Sequence, residues 1–213
     1  MKVAAIIPAL NEEHTIGTVI KSLREADSID EVIVVDDAST DRTAHVAESC
    51  GARVISHQKN KGKGLSMIAG AHSTDADILF FADADLVRFT SQHARMLIEP
   101  IVRGEVGMTV GLRDRGRFLT WLLPHILPVL GGERAMRRED FLAIAGNAAR
   151  DFGIETTMNA YCRKHRIAVR CIVLVGVGQV VKEKKYGLWK GFFARMLMYG
   201  QIIRAEIETL WMK

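Results

Sequence analysis

Ile78-Leu-Phe-Phe-Ala-Asp-Ala-Asp-Leu86 joins four apolar residues to two carboxylates one residue apart. A short apolar run that ends in acidic residues reads as a buried strand delivering Asp83 and Asp85 to its carboxyl end. Open α/β sheets keep their ligands there. Two carboxylates so close repel each other. A hard cation such as Mg²⁺ or Mn²⁺ relieves the repulsion and can also grip a diphosphate. A solvated acidic turn is the plain alternative, and Asp-x-Asp alone does not separate the two.

Upstream, the same grammar recurs. Val3–Ile7 reads as a strand, followed by Pro8-Ala-Leu-Asn-Glu-Glu13 and an apolar stripe at helical spacing, Ile16, Val19, Ile20 and Leu23. Asn11 is placed to cap that helix, with Glu12 and Glu13 in its first turn, and on spacing alone capping accounts for them. A second strand, Glu31–Val35, runs into Asp36-Asp37-Ala-Ser-Thr-Asp41, with Ser39 or Thr40 capping a helix through Val46. An acidic residue at such a strand end can hydrogen-bond ribose hydroxyls or a base edge. A third strand, Ala52–Ser56, leads to Lys59-Asn-Lys-Gly-Lys-Gly64 and a helix through Gly70. Glycines, amides and lysines at a helix start favour an anion. No Walker loop and no Gly-x-Gly-x-x-Gly after the first strand is present, which argues against a dinucleotide oxidoreductase.

The 213 residues are 48% hydrophobic and 25% charged, enough for one large α/β domain with a real core. The apolar start is too short for a signal peptide, and no stretch reaches the ~18 apolar residues of a spanning helix. Cys50, Cys162 and Cys171 form no metal pattern and point to reduced thiols in a cytoplasm. The net charge of +4 is concentrated at Arg113–Arg117, Arg134–Arg138 and Lys182–Lys190. Without aromatic interleaving or a helix-turn-helix pattern, these clusters suit phosphate-rich small molecules or an anionic membrane surface better than nucleic acid.

Beyond the acidic pair, a helix over Ser91–Val102 with a kink or early stop at Pro100 is expected, then a strand over Gly107–Gly111. Phe118–Leu130 is apolar on all sides, a buried kinked helix or an apolar lip near a lipid substrate. Gly131–Glu139 reads as a Gly-rich turn entering a helix. A further helix opens at Asp151–Glu155 and runs to about His165, and a strand over Ala168–Val175 completes the sheet. Residues 1–180 form the catalytic unit in this reading, and 181–213 a basic amphipathic tail. Apolar positions from Leu188 to Trp211, with lysines around its start, suit a membrane interface, the host domain or a second copy of the chain.

Val3–Glu12, Val34–Asp41, Gly62-Lys63-Gly64 and Asp83-Ala84-Asp85 resemble, in order and spacing, the motifs of GT-A glycosyltransferases of family 2. Gly132–Arg138 and Gly153-Ile-Glu155 resemble the polyprenyl-phosphate sugar transferase branch, which includes dolichyl-phosphate mannose synthase. The resemblance implies a GT-A, Rossmann-like, mostly parallel sheet flanked by helices. It implies a donor nucleotide-diphosphate sugar (UDP- or GDP-linked) held by Pro8, Leu10, Asn11, Glu12, Asp36 or Asp37, and Lys63. It implies a divalent metal on Asp85 and Asp83, with Asp83 and Ala84 near ribose and diphosphate, and Arg113 and Arg134 around the phosphates. Relatives in the lipid-linked branch often carry a Gln two residues after the second Asp. Val87 stands there, so the metal shell leans on water.

In this reading, metal and cations stabilise the charge left on the departing nucleoside diphosphate. A hydroxyl acceptor needs a base, for which Glu155 or Asp151 are candidates; a phosphate acceptor needs only cations such as Arg113, Arg134 and Arg137. The apolar segments and basic tail favour polyprenyl phosphate, with inversion at the anomeric carbon and a peripheral place on the inner membrane face. Glucosyl-3-phosphoglycerate synthases, which share a Gly-x-Glu stretch and retain configuration, are the first alternative, with a soluble acceptor. A haloacid dehalogenase-like phosphatase also fits Asp83–Val87, though three βα units precede the motif here. A non-catalytic nucleotide-binding or scaffolding module is the third.

Overall fold

The computed structural model describes residues 1–113, 131–148 and 153–179. Four strands come first: β1 (Val3–Ala9), β2 (Glu31–Asp36), β3 (Arg53–Ser56) and β4 (Ile78–Phe81). Between them run α1 (Ile16–Arg24), α2 (Thr43–Ser49) and α3 (Lys63–His72). Then follow β5 (Leu86–Val87), α4 (Ser91–Val102), β6 (Met108–Arg113), β7 (Arg134–Arg137), α5 (Arg138–Ala148), α6 (Ile154–Lys164), β8 (Val169–Leu174) and β9 (Gly178–Gln179).

The main sheet has the order β3-β2-β1-β4-β7-β6-β8, and β5 pairs with β9 beside it. β1 pairs in parallel with β2 and with β4, and β2 with β3. β7 runs antiparallel between β4 and β6, and β8 returns parallel to β6. The result is the mostly parallel, mixed GT-A sheet expected from the sequence. The inner strands read as unbroken apolar runs because helices cover both faces. On one face Ala5, Ile7 and Phe80 pack with Ile16 and Leu23 of α1 and with Leu97 of α4. On the other, Ile6, Leu79 and Phe81 pack with Met67 of α3, Phe141 of α5 and Met158 of α6.

Three local expectations change. Asn11 is not a helix cap: it sits at φ 54°, and α1 starts after Thr15, with Glu12 and Glu13 outside its first turn. Ser39 and Thr40 do not cap either, since α2 begins after Arg42. Both sets of residues are drawn instead into hydrogen bonds between loops. Pro100 does not stop α4, which continues to Val102. In the last turn it removes only one helical bond.

The larger correction is β7. Arg134-Ala-Met-Arg137 is made of good helix formers and was expected to enter a helix. Pairing on both edges overrides that propensity, and the helix begins only at Arg138. The expectations placed on Phe118–Leu130, Arg115, Arg117, Asp151 and the 181–213 tail fall outside the described residues. Among the described residues, no helix is long and apolar enough to cross a membrane.

Candidate active site

The strand order reverses at β1, whose neighbours β2 and β4 lead their chains away in opposite directions. A crevice opens outside the carboxyl ends at such a switch point. Pro8 marks it. Even-numbered residues of β1 face β4, as the bond from Ala82 N to the Ile6 carbonyl (3.2 Å) shows. The β1–β4 register ends at Ile6 opposite Phe81. The next rung needs an N–H at position 8, and proline has none.

The two loops on the β2 side of the crevice are laced together. Asn11 N donates to Ser39 Oγ (2.9 Å), and Asn11 Oδ1 accepts from Thr40 N (2.8 Å). Glu12 N donates to Thr43 Oγ1 (2.7 Å), and Glu13 N to Asp41 Oδ2 (3.2 Å). The left-handed backbone at Asn11, a conformation asparagine tolerates better than most residues, lets its amide and side chain both reach the second loop. Leu10 and Glu12 are half-buried in the same loop.

Asp36 and Asp37, both buried, divide the work. Asp36 Oδ1 accepts a 3.3 Å bond from Ser39 N, closing its own turn. Asp37 faces the α3 side. Its Oδ1 accepts from Lys61 N (2.9 Å) and pairs with His57 Nδ1 (2.8 Å), while Oδ2 accepts from Gly62 N (2.7 Å). Two of the amides in the loop expected to bind an external anion, those of Lys61 and Gly62, are thus filled by the chain's own carboxylate. Burial pushes the Asp37 carboxyl up, but His57 and the two amides outweigh it and hold it below the ordinary range. Lys63, the first residue of α3, follows directly on these filled amides.

Lys63 belongs to a chain of alternating charges. Its Nζ donates to Asp83 Oδ1 and to Glu155 Oε1, both at 2.7 Å. Asp83 Oδ2 accepts from Arg113 Nη2 (2.9 Å), and the same nitrogen donates to Glu133 Oε1 (2.7 Å). Burial works against the charge on Lys63, yet Asp83 and Glu155 raise it above the usual lysine range. Burial would likewise raise Asp83, but Lys63 and Arg113 bring it down to about 2. Glu155 is also lowered, because Lys63 overrides its burial. Gly132 permits the close approach: a Cβ there would stand 2.4 Å from Asp83 Oδ2.

Asp85 and Ala84 follow in the turn beyond β4, and both are buried. Both Asp83 oxygens are engaged by cations, Oδ1 by Lys63 and Oδ2 by Arg113, while Asp85 is the second carboxylate of the pair expected to hold the metal. Among the described residues, no group of three or more His, Cys, Asp or Glu side chains is arranged to hold a metal. That donor set does not form a closed metal cage. It fits a Mg²⁺ or Mn²⁺ ion that meets one carboxylate and takes its other ligands from a diphosphate and water.

Arg134 departs from expectation as well. It was expected at the phosphates, but it is fully buried under the site. Nε donates to the Gly131 carbonyl (2.8 Å), and Nη1 to Asn159 Oδ1 (2.7 Å) and the Glu155 carbonyl (3.2 Å). Burial lowers its basicity, with Glu155 opposing. It ties the start of β7 to the first turn of α6 and so fixes Glu155.

Residues 4–163 match the profile of glycosyl transferase family 2. The chain belongs to that family. A glucosyl-3-phosphoglycerate synthase of Mycobacterium tuberculosis is 36% identical over 112 residues, a match covering 48% of this chain and 35% of that protein. Protein RfbJ of Shigella flexneri is 35% identical over 112 residues, covering 53% of this chain and 85% of RfbJ. The match thus spans about a third of the first relative's length. A crystal structure of the M. tuberculosis synthase with Mn²⁺, UDP-glucose and phosphoglyceric acid superposes with a TM-score of 0.72. It is 29% identical, and the match covers 84% of this chain and 71% of that one.

In this family 2 chain, the lacing ties the motif at Asn11-Glu12 to the one at Asp36–Asp41, each supplying hydrogen bonds to the other. Glu133, His57 and Asn159 were not singled out from the sequence. For Glu133 the signal was present in the two glycines before it. His57 and Asn159 carry no local mark.

Proposed function

We propose that this chain is a metal-dependent glycosyltransferase that moves a sugar from a uridine-diphosphate donor to a small, phosphate-bearing hydroxyl acceptor of the phosphoglycerate type. The observation that carries this reading is Lys63, which bridges Asp83, just past the carboxyl end of β4, and Glu155 in the first turn of α6. Likeness to a synthase bound to Mn²⁺, UDP-glucose and phosphoglyceric acid supports the donor and acceptor classes. The polyprenyl-phosphate acceptor expected from the sequence rests on the resemblance of Gly132–Arg138 and Gly153–Glu155 and on the apolar 118–130 and basic 182–211 segments, and the membrane contact and homodimer rest on the last of these, outside the described residues. Neither the M. tuberculosis synthase nor RfbJ supports them.

Asp85 would hold the Mg²⁺ or Mn²⁺, which when bound neutralises charge on the diphosphate. Lys63 and Arg113 offer further positive charge where the diphosphate departs. The bond from the anomeric carbon to the diphosphate oxygen breaks, its electron pair leaving with the diphosphate. The acceptor oxygen bonds to that carbon and gives up its proton. Glu155 is ionised and within reach of Lys63. When the diphosphate competes for Lys63, Glu155 is released as a proton acceptor. Pro8, Leu10, Asn11, Glu12, Asp36 and Ala84 shape the nucleoside end of the crevice.

Thermal-shift measurement with UDP-, GDP- and dTDP-sugars, with and without Mn²⁺, tests the reading. At a hundredfold excess over Kd, a UDP-sugar with metal is expected to raise Tm by about 5–10 °C. Asp85→Ala should abolish the shift. No shift with any nucleotide sugar would overturn the transferase reading. Product formation on 3-phosphoglycerate rather than on polyprenyl phosphate then fixes the acceptor. NMR of the anomeric proton separates retention, expected for the former, from inversion, expected for the latter.

A further inference from the structure

Glu133 lies at the amino end of β7. Because β7 is antiparallel to its neighbours, that end meets the carboxyl ends of β4 and β6: Arg134 stands opposite both Phe81 and Val110. Gly111 N donates to the Glu133 carbonyl (2.8 Å), so the backbone at 133 is fixed by the sheet. The side chain is wholly buried. Its Oε1 accepts from Arg113 Nη2 at 2.7 Å. Among the described residues no donor reaches Oε2. A buried carboxylate with half its capacity unmatched is costly, and a neutral side chain would stabilise the fold more cheaply.

What the cost maintains is the orientation of one guanidinium. Arg113 ends β6, and its Nη2 is shared between a carboxylate beneath it (Glu133) and one at the crevice (Asp83). Remove Glu133, and Nη2 of Arg113 loses the carboxylate that holds it from below while keeping its pair with Asp83. Asp83 then loses the reference that sets its angle to Lys63. We propose that Glu133 is a positioning residue, clamping Arg113 from below so that Arg113 and Asp83 meet the donor diphosphate in a fixed geometry. The inference rests on the transferase reading for its catalytic weight, and on the clamp alone for its structure.

Two variants test it: Glu133→Gln, which keeps shape and an acceptor oxygen, and Glu133→Ala, which removes both. The first readout needs no turnover. Arginine side-chain ¹⁵N spectra should show an ordered Arg113 guanidinium in the wild type, assigned by its loss in Arg113→Lys. The signal should persist in Asp83→Asn, weaken in Glu133→Gln and average out in Glu133→Ala. The second readout is kinetic: kcat should fall by about 10- to 100-fold in Glu133→Ala with the donor KM nearly unchanged, and recover in part in Glu133→Gln. Unchanged Arg113 signals in both variants overturn the clamp. Altered signals with an unchanged kcat overturn the positioning role. If the wild type neither binds nor turns over a nucleotide sugar, the transferase reading fails, and the spectra still decide the clamp.

Discussion

The ends of β2 and β4 both finish in paired aspartates, yet Asp37 and Asp83 face different kinds of partner. Asp37 accepts from two backbone amides and His57, groups that cannot leave without unfolding the loop. Asp83 accepts from Lys63 and Arg113, side chains that a diphosphate can recruit. The same residue type is therefore held by the backbone and a buried histidine at one strand end and by two cationic side chains at the other, where the proposed function has the donor diphosphate compete for them. Acidity at a strand end does not by itself report function; the mobility of the donors around it does.

Lys63→Met breaks the comparison most sharply. Turnover should fall by about 10²–10³-fold, the loss typical of one missing charge-stabilising donor, with a smaller drop in Tm because Asp83 and Glu155 lose the cation they share. Asp37→Ala should do the reverse. Three donors lose their acceptor, and urea unfolding should show a loss of about 2–4 kcal/mol. Any drop in kcat should follow only from the displaced Lys63 loop.

Acid titration sharpens the contrast. Both carboxyls sit below their ordinary value in the folded chain. Their stabilisation is complete above the unfolded value, about pH 4, and disappears as pH falls towards the folded values. In 1 M salt the Debye length shrinks to about 3 Å, so the contribution from Asp83 and the half-exposed Lys63 should weaken while that of Asp37 stays. Melting curves of Asp37→Asn and Asp83→Asn from pH 2 to 5, at low and high salt, read this directly. The smallest effect belongs to the lacing: Asn11→Gly, which keeps the left-handed backbone and removes only the side-chain bonds to Thr40, should cost about 1 kcal/mol and slightly weaken nucleotide binding.

Much of the fold was legible because its strands are apolar runs ending in Asp or Pro, and its helices carry stripes such as Ile16, Val19, Ile20 and Leu23. β7 was not. Arg134 and Arg137 bracket only two apolar residues, and nothing local says that both edges are paired. At the site, Asp83, Asp85, Lys63 and Glu155 were legible as chemistry. Their division into fixed and exchangeable pairs was not, because it depends on which donors the fold brings from 20 to 92 residues away. Arg134 looked like a phosphate ligand for the same reason: charge is visible in a sequence, and burial under a helix is not.

Pro8 turns the crevice into a permanent feature. Two parallel strands behave as a zip, each rung aligning the next, and the imino acid at position 8 is a stop crimped into one side of it. The gap beyond Ile6 and Phe81 is therefore built into the covalent chain and is not something a ligand must prise open. Restoring an N–H there with alanine would let the ladder advance by a rung and narrow the mouth through which Asp83 turns away.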